Sequence, residues 1–262
     1  MTRIFFAAAL LVLPFCNIRA ADFATEIMEA TYKLGENGSY ATCFLVRPEA
    51  PDTALYLVTA AHALDDNTAE SILLALRKPT ADGGYERVNH KLPLRRDGKP
   101  VWVRHPDHDV AVIRIADSLP IAASAVPLSV LADEARLKSS GSHLCSTLFV
   151  LGYPEGLEGD ASGLAVARLG IFASPPSLPM ASHPTFLADY TASGGDSGGP
   201  VFRADAEGHL LLLGLVTEQH YYADEMQGIN QKHTIRTPLG AVKILHAKYV
   251  RDTIEKAARA GQ

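Results

Sequence analysis

Short apolar runs broken by turn residues dominate the pattern along this chain. Segments 41–47, 54–59, 71–77, 100–104, 109–115, 147–152, 163–172, 185–190, 200–202, 210–217 and 233–237 are rich in aliphatic and β-branched residues and are bounded by Gly, Pro, Asp or Asn. Strands this short and this regularly interrupted predict an all-β barrel or sandwich. The period changes over 239–260, where Val242, Leu245, Tyr249 and Ile254 recur near helical spacing with Lys and Arg between them. That stretch predicts a C-terminal helix docked on the second strand-rich unit, its basic face in solvent. Residues 118–143 are rich in Ala, Ser and Pro without sustained alternation and read as a link between two units. Residues 22–34 fit either a short helix or a strand.

The N-terminus does not belong to this pattern. Arg3, an apolar stretch from Ile4 to Phe15 and small Ala20 predict a cleaved signal peptide over 1–20, hence export to the periplasm or the medium. The stretch is too short for an ordinary membrane span. Cleavage removes Arg3 and Arg19 and no acid, so the formal charge moves from −5 to −7. That balance, with a single Trp, argues against a nucleic-acid groove or a cationic membrane face. The expected partner is a polypeptide substrate, with no nucleic acid and no stable membrane insertion after cleavage. Cys16 leaves with the signal. Cys43 and Cys145 could pair in an exported protein, but two buried thiols are the favoured reading, since a sequence does not give the Cα separation that a disulfide requires. No cluster has zinc-ligand spacing, and neither a metal nor an organic cofactor is expected.

Candidate chemistry centres on Gly194-Gly195-Asp196-Ser197-Gly198-Gly199-Pro200. A serine hydroxyl attacks only when a base removes its proton, and the oxyanion then formed needs donors aimed at it. Glycines permit the positive φ that lets neighbouring N–H groups converge beside the hydroxyl. A histidine, His62, ends the apolar run 54–58 through Thr59-Ala60-Ala61, and Asp109 opens the run 110–113. Taken singly, each has a bland reading as a turn, a core histidine or an edge charge. Jointly they form a nucleophile, a base and an acid. Asp107 is a local rival to Asp109, and His105 and His108 read as surface residues near the cleft rim.

On Thr-Ala-Ala-His at 59–62, Asp-Val-Ala-Val at 109–112 and Gly-Asp-Ser-Gly-Gly-Pro at 195–200, in that order, the chain resembles the chymotrypsin-like (trypsin-fold) serine peptidases. The likeness runs over roughly residues 27–240 and is nearest to the bacterial-type members without a PDZ domain. It implies an all-β fold of two six-stranded antiparallel β-barrels with a C-terminal α-helix, in one peptidase domain over 21–262. The expected limits are an N-terminal barrel at about 27–117, a linker at 118–143, a C-terminal barrel at 144–240 and the helix at 241–260. The resemblance selects Asp109 over Asp107. It implies catalysis by His62, Asp109 and Ser197 through an acyl-enzyme, with Gly195 and Ser197 N–H groups as the oxyanion hole. It places substrate binding at Thr191, Thr217 and Gln219, with strand addition along 216–219. The family's Ile-Val-Gly-Gly start, whose freed amine pairs with the acid before the serine, is missing, so Asp196 is expected to have another partner. Thr191 where trypsins carry an acid disfavours cleavage after Lys or Arg. The function implied is an exported serine endopeptidase. The alternatives are a peptide-binding module that has lost turnover and an esterase using the same triad.

Overall fold

The computed structural model describes residues 23–36, 38–65, 67–115, 119–227 and 232–260. The expected signal peptide at 1–20 lies outside them. A short helix α1 (Phe23–Glu29) is followed by β1 (Thr31–Glu36), β2 (Ser39–Arg47), β3 (Leu55–Thr59), the one-turn helix α2 (His62–Asp65), β4 (Ser71–Pro79) and β5 (Tyr85–Pro93). A small ribbon, β6 (Arg95–Arg96) and β7 (Lys99–Pro100), leads to β8 (Trp102–Arg104) and β9 (Ala111–Ile115). The link carries β10 (Val126–Pro127) and α3 (Glu134–Ser139). The C-terminal half holds β11 (Thr147–Gly152), β12 (Val166–Phe172), β13 (Thr185–Asp189), β14 (Pro200–Ala204), β15 (Leu210–Gln227) and β16 (Lys232–His246), before α4 (Ala247–Ala260).

The C-terminal strands close into a six-stranded barrel in the order β11-β12-β13-β16-β15-β14. The N-terminal strands run β5-β4-β1-β2-β3-β9-β8, with β10 beside β2. Among the described residues this second ladder stays open at β5 and β8, so the expected pair of closed barrels is realised in full only once. The edges explain how an open ladder persists. β8 is three residues long, and β5 presents Glu86, Arg87, His90 and Lys91, and short or charged edges resist further pairing.

Alternation along the central strands sorts side chains into three cores. Cys43, Leu45, Leu57, Ala111 and Ile113 fill the inside of the N-terminal sheet. Val150, Phe186, Leu213 and Ile244 fill the barrel. Phe44, Val46, Tyr56, Val58, Val110 and Val112 leave the other face of β2, β3 and β9 and meet Leu151, Phe202, Leu212 and Leu245 between the halves. These strands are buried on both faces, and each large apolar side chain removed from water there contributes about 1.5–3 kcal/mol.

Two expectations change here. The barrel's last strand runs to His246 rather than stopping at 240, and the helix begins at Ala247. Val242 and Ile244 belong to the barrel interior and Leu245 to the core between the halves, so the strand is buried on both faces and its apolar residues at 242 and 245 imitate a helical repeat. The helix also does not dock on the barrel alone. Tyr249, Val250, Ile254 and Ala257 join the core between the halves. Its cations are anchored: Arg251 donates to the carbonyls of Leu128 and Leu131, each at 3.1 Å, and Lys256 donates to that of Arg104 at 3.3 Å. α4 is a strap across both halves and the link.

Cys43 is buried and Cys145 exposed, both as free thiols. Burial pushes the Cys43 thiol up, which keeps it protonated and inert. Among the described residues no helix is long and apolar enough to cross a membrane.

Candidate active site

His62 and Asp109 owe their proximity to strand register. β3 and β9 are antiparallel neighbours with Thr59 opposite Ala111. The chain therefore leaves β3 toward His62 at the same end at which it enters β9 from Asp109. Ser197 comes from the other half, on the loop between β13 and β14. His62 Nδ1 lies 2.7 Å from Asp109 Oδ2, and His62 Nε2 lies 3.0 Å from Ser197 Oγ. The His62 backbone N–H donates to Asp109 Oδ1 at 3.0 Å. Burial alone would raise the Asp109 carboxyl, but the hydrogen bonds and charge of His62, with a bond from the Ala61 N–H, hold it below the usual carboxylate range. An ionised carboxylate only accepts, so Nδ1 carries the proton and Nε2 is left to accept from the Ser197 hydroxyl. The line can carry a proton from Oγ to the imidazole while Asp109 steadies the imidazolium. Asp107, the rival acid, donates its backbone N–H to His105 Nδ1 at 3.1 Å.

The glycine run is fixed by close approaches. Gly195 has φ +94° and Gly198 has φ +84°. A Cβ on Gly195 would sit 2.2 Å from the Tyr153 carbonyl oxygen, and one on Gly198 would sit 2.2 Å from that of Thr42. Thr42 ties this loop to the N-terminal half. Its N–H donates to the Ser197 carbonyl at 2.9 Å, and its hydroxyl donates to the Gly195 carbonyl at 2.7 Å.

The N–H groups of Gly195 and Ser197 donate to no acceptor among the described residues, while the carbonyls of the same two peptides are held. The Gly194 carbonyl accepts from the Glu155 N–H at 2.6 Å, and that of Asp196 accepts from the Gly199 N–H at 2.8 Å. In a trans peptide the N–H points opposite its carbonyl, so both free donors are turned away from these partners. Donors left open beside a nucleophile suit a developing oxyanion.

Asp196 is 1% exposed. Its expected partner is Arg168 of β12, whose Nη1 donates to Oδ2 at 2.6 Å and whose Nη2 donates to Oδ1. Burial pushes the Asp196 carboxyl up, and the guanidinium opposes it. The Ser193 N–H adds a bond at 2.9 Å. An internal arginine thus stands where the resemblance would put a freed N-terminal amine.

A cleft of about 400 Å³ beside Ser197 is lined by residues including Ala192, Ser193, Val216, Thr217 and Gln219. Thr217 and Gln219, named from the sequence, line it. Thr191 is exposed beside it, its carbonyl accepting from Arg168 Nη1 at 3.2 Å, and its neighbours Ala192 and Ser193 are on the wall. Gln219 is held on both sides, donating to the Ala192 carbonyl at 3.0 Å and accepting from the Tyr221 hydroxyl at 2.7 Å. Glu218 pairs with Lys243. A second cleft of about 580 Å³ lies on the other side of Ser197, lined by residues including Tyr40, Ala41, Ala63 and Gly195. Two clefts flanking one hydroxyl suit an extended chain lying across it.

His105 and His108, expected at the surface, are half-buried. Their rings stand 4.7 Å apart, and that of His108 is 4.0 Å from the ring of Tyr249 in α4. Sequence reasoning missed Thr42, Glu155 and Arg168. The unpaired Asp196 was a signal that a cation existed, but not which one. Ligand-type atoms of Asp205, Glu207 and His209 gather within 4.8 Å of one another on an exposed turn, where the Asp205 carboxylate already accepts from the backbone N–H groups of Glu207 and His209 at 3.1 and 2.8 Å.

A family model described as "Trypsin-like peptidase domain" matches residues 41–214. Among solved structures, Rv3671c from M. tuberculosis H37Rv, a mutant in its inactive form, is 19% identical. That match has a TM-score of 0.46 and covers 90% of this chain and 89% of that one. A second structure, of the inactive form of the Rv3671c protease, is 17% identical with a TM-score of 0.46 and covers 90% and 92%. No curated protein sequence matches the chain.

Proposed function

The chain belongs to the trypsin-like peptidase family, and from that premise we propose that it is an exported serine endopeptidase working through His62, Asp109 and Ser197. Ser197 Oγ attacks the scissile carbonyl as its proton passes to His62 Nε2. The Gly195 and Ser197 N–H groups receive the oxyanion. His62 returns the proton to the leaving amine, the C–N bond breaks, and an acyl-enzyme remains on Ser197. Water, deprotonated by His62, attacks that ester, and the acid product and Ser197 hydroxyl are released. The observation carrying this reading is the unbroken line from Asp109 through His62 to Ser197 at 2.7 and 3.0 Å.

Substrate binds as an added strand along 216–219. The pocket beyond it, with Ala192, Thr217 and Gln219, favours a small-to-medium side chain before the cut. The Arg168–Asp196 pair supports activity without a freshly cut N-terminus. Export rests on the signal-like residues 1–20. Replacing Ser197 by Ala is expected to abolish both proteolysis and labelling by a fluorophosphonate. Persistent labelling of that variant overturns the assignment of the nucleophile.

A further inference from the structure

The turn after β11 holds a residue in a conformation that ordinary side chains avoid. Glu155 has φ 50° and ψ 28°, a left-handed geometry that non-glycine residues adopt rarely and that gathers at functional sites. Next to it, Gly156 is packed against the ring of Tyr40, with Cε2 2.5 Å from the position of a would-be Cβ. The turn cannot easily relax on that side.

The geometry brings two groups of Glu155 onto one glycine. Its N–H donates to the Gly194 carbonyl at 2.6 Å, while its carboxylate Oε1 accepts from the Gly194 N–H at 3.0 Å. Gly194 permits this approach because a Cβ there would lie 2.9 Å from Oε1. Gly194 is thus gripped through both of its backbone polar groups. The peptide that follows it carries the Gly195 N–H, one of the two oxyanion donors.

We infer that the Glu155 carboxylate is a positioning residue for the oxyanion hole: the Glu155 N–H holds the 194–195 peptide through the Gly194 carbonyl, the carboxylate holds the preceding 193–194 peptide through the Gly194 N–H, and together they fix the rotation at Gly194 and keep the Gly195 N–H aimed beside Ser197. This rests on the serine-peptidase reading of the same site. The neighbouring peptide is pinned separately, by the Thr42 hydroxyl on the Gly195 carbonyl at 2.7 Å. The two grips come from opposite sides, one from the barrel and one from the N-terminal sheet. A glycine has no side chain to limit its own rotation, and among the described residues the hydrogen bonds to the Gly194 backbone come from Glu155. Its carboxylate also matches the task, because a charged acceptor makes a stronger bond to a backbone N–H than a neutral one.

The test uses the wild-type protein with the variants Glu155→Gln and Glu155→Asn, assayed on a peptide anilide, with a peptide aldehyde as a tetrahedral mimic. Glutamine keeps an acceptor at the same reach. Asparagine tolerates the left-handed backbone but is one methylene too short. Removing an oxyanion donor outright lowers kcat about 10²–10³-fold; losing its positioning is expected to lower kcat of Glu155→Asn about tenfold or more. Its KM should stay within about twofold, aldehyde affinity should fall in parallel with kcat, and the melting temperature should not move. Glu155→Gln should recover most of the lost kcat. An unchanged kcat in Glu155→Asn, a change confined to KM, or an equal loss in Glu155→Gln overturns the role of the carboxylate while leaving the triad intact. A wild-type protein that neither cleaves nor labels with fluorophosphonate overturns both readings.

Discussion

His62 and Asp109 stand at the ends of two paired strands in an open sheet, whereas Ser197 stands on an irregular loop of a closed barrel. The two halves therefore fix their groups by different means. In the sheet, register does the work: once Thr59 faces Ala111, the base and acid meet whatever the neighbouring loops do. In the barrel, strand pairing reaches into residues 193–199 only at their end, where Gly198 and Gly199 bond to Val216. Their geometry comes from contacts far apart in sequence, with Arg168 below, Glu155 beside and Thr42 across the joint. The barrel is the closed half, yet its serine loop is the less self-sufficient.

Replacing Arg168 by Met is the strongest way to break this comparison. It leaves a 1%-exposed acid without its cation, an arrangement that typically costs about 3–5 kcal/mol. The loss should show as a lower denaturant midpoint together with loss of activity, since Asp196 sits beside Ser197. A variant that kept wild-type stability would mean the loop is held mainly by its glycines. Next in size is His246 at the end of β16. It is fully buried beside Phe186, and burial pushes its imidazole down to about 4. Its folded value lies below the unfolded one near 6.5. The stability it permits is therefore present above that unfolded value and is lost as pH falls toward about 4, to an extent of about 3 kcal/mol. His246→Leu should be flatter than wild type in unfolding free energy between pH 7 and 4. Parallel curves would show that the barrel is not the acid-sensitive half. The smallest effect should come from the joint. Thr42→Val keeps the shape but removes the hydroxyl, which leaves the Gly195 carbonyl and the Tyr153 N–H unmatched and costs about 1–3 kcal/mol. Activity should fall with it, and Thr42→Ser should restore both. Full activity in the valine variant would indicate that the loop does not need the other half.

The difference also explains what was legible in the sequence. Strands whose alternation is carried by apolar residues, such as 147–152 or 54–59, could be read directly. β5 could not, because Tyr-Glu-Arg-Val-Asn-His-Lys-Leu-Pro at 85–93 alternates mainly between charged and partly buried positions. The start of α4 was misplaced because β16 is buried on both faces: Val242 faces the barrel interior and Leu245 the core between the halves, so apolar residues three apart imitate a helical repeat. At the site, His62, Asp109 and Ser197 were readable because each carries its own local signature. Arg168, Glu155 and Thr42 were not, because they act at separations of 28, 39 and 153 residues and nothing in their own neighbourhoods marks them. Counting back from the serine reached Thr191, whereas the cleft is lined by its neighbours Ala192 and Ser193, because such a count fixes a position along the chain but not the way the backbone turns there.

The packing of Gly198 against Thr42 bears on how far such a protein can be treated as two modules. The contact leaves no room for even a methyl group and joins a β2 residue to the serine loop. A chimera that takes its first half from one relative and its second from another inherits a seam through a contact with no slack. Successful recombination should move β2 and the 153–199 segment together, so the natural unit of exchange is the seam itself rather than either half.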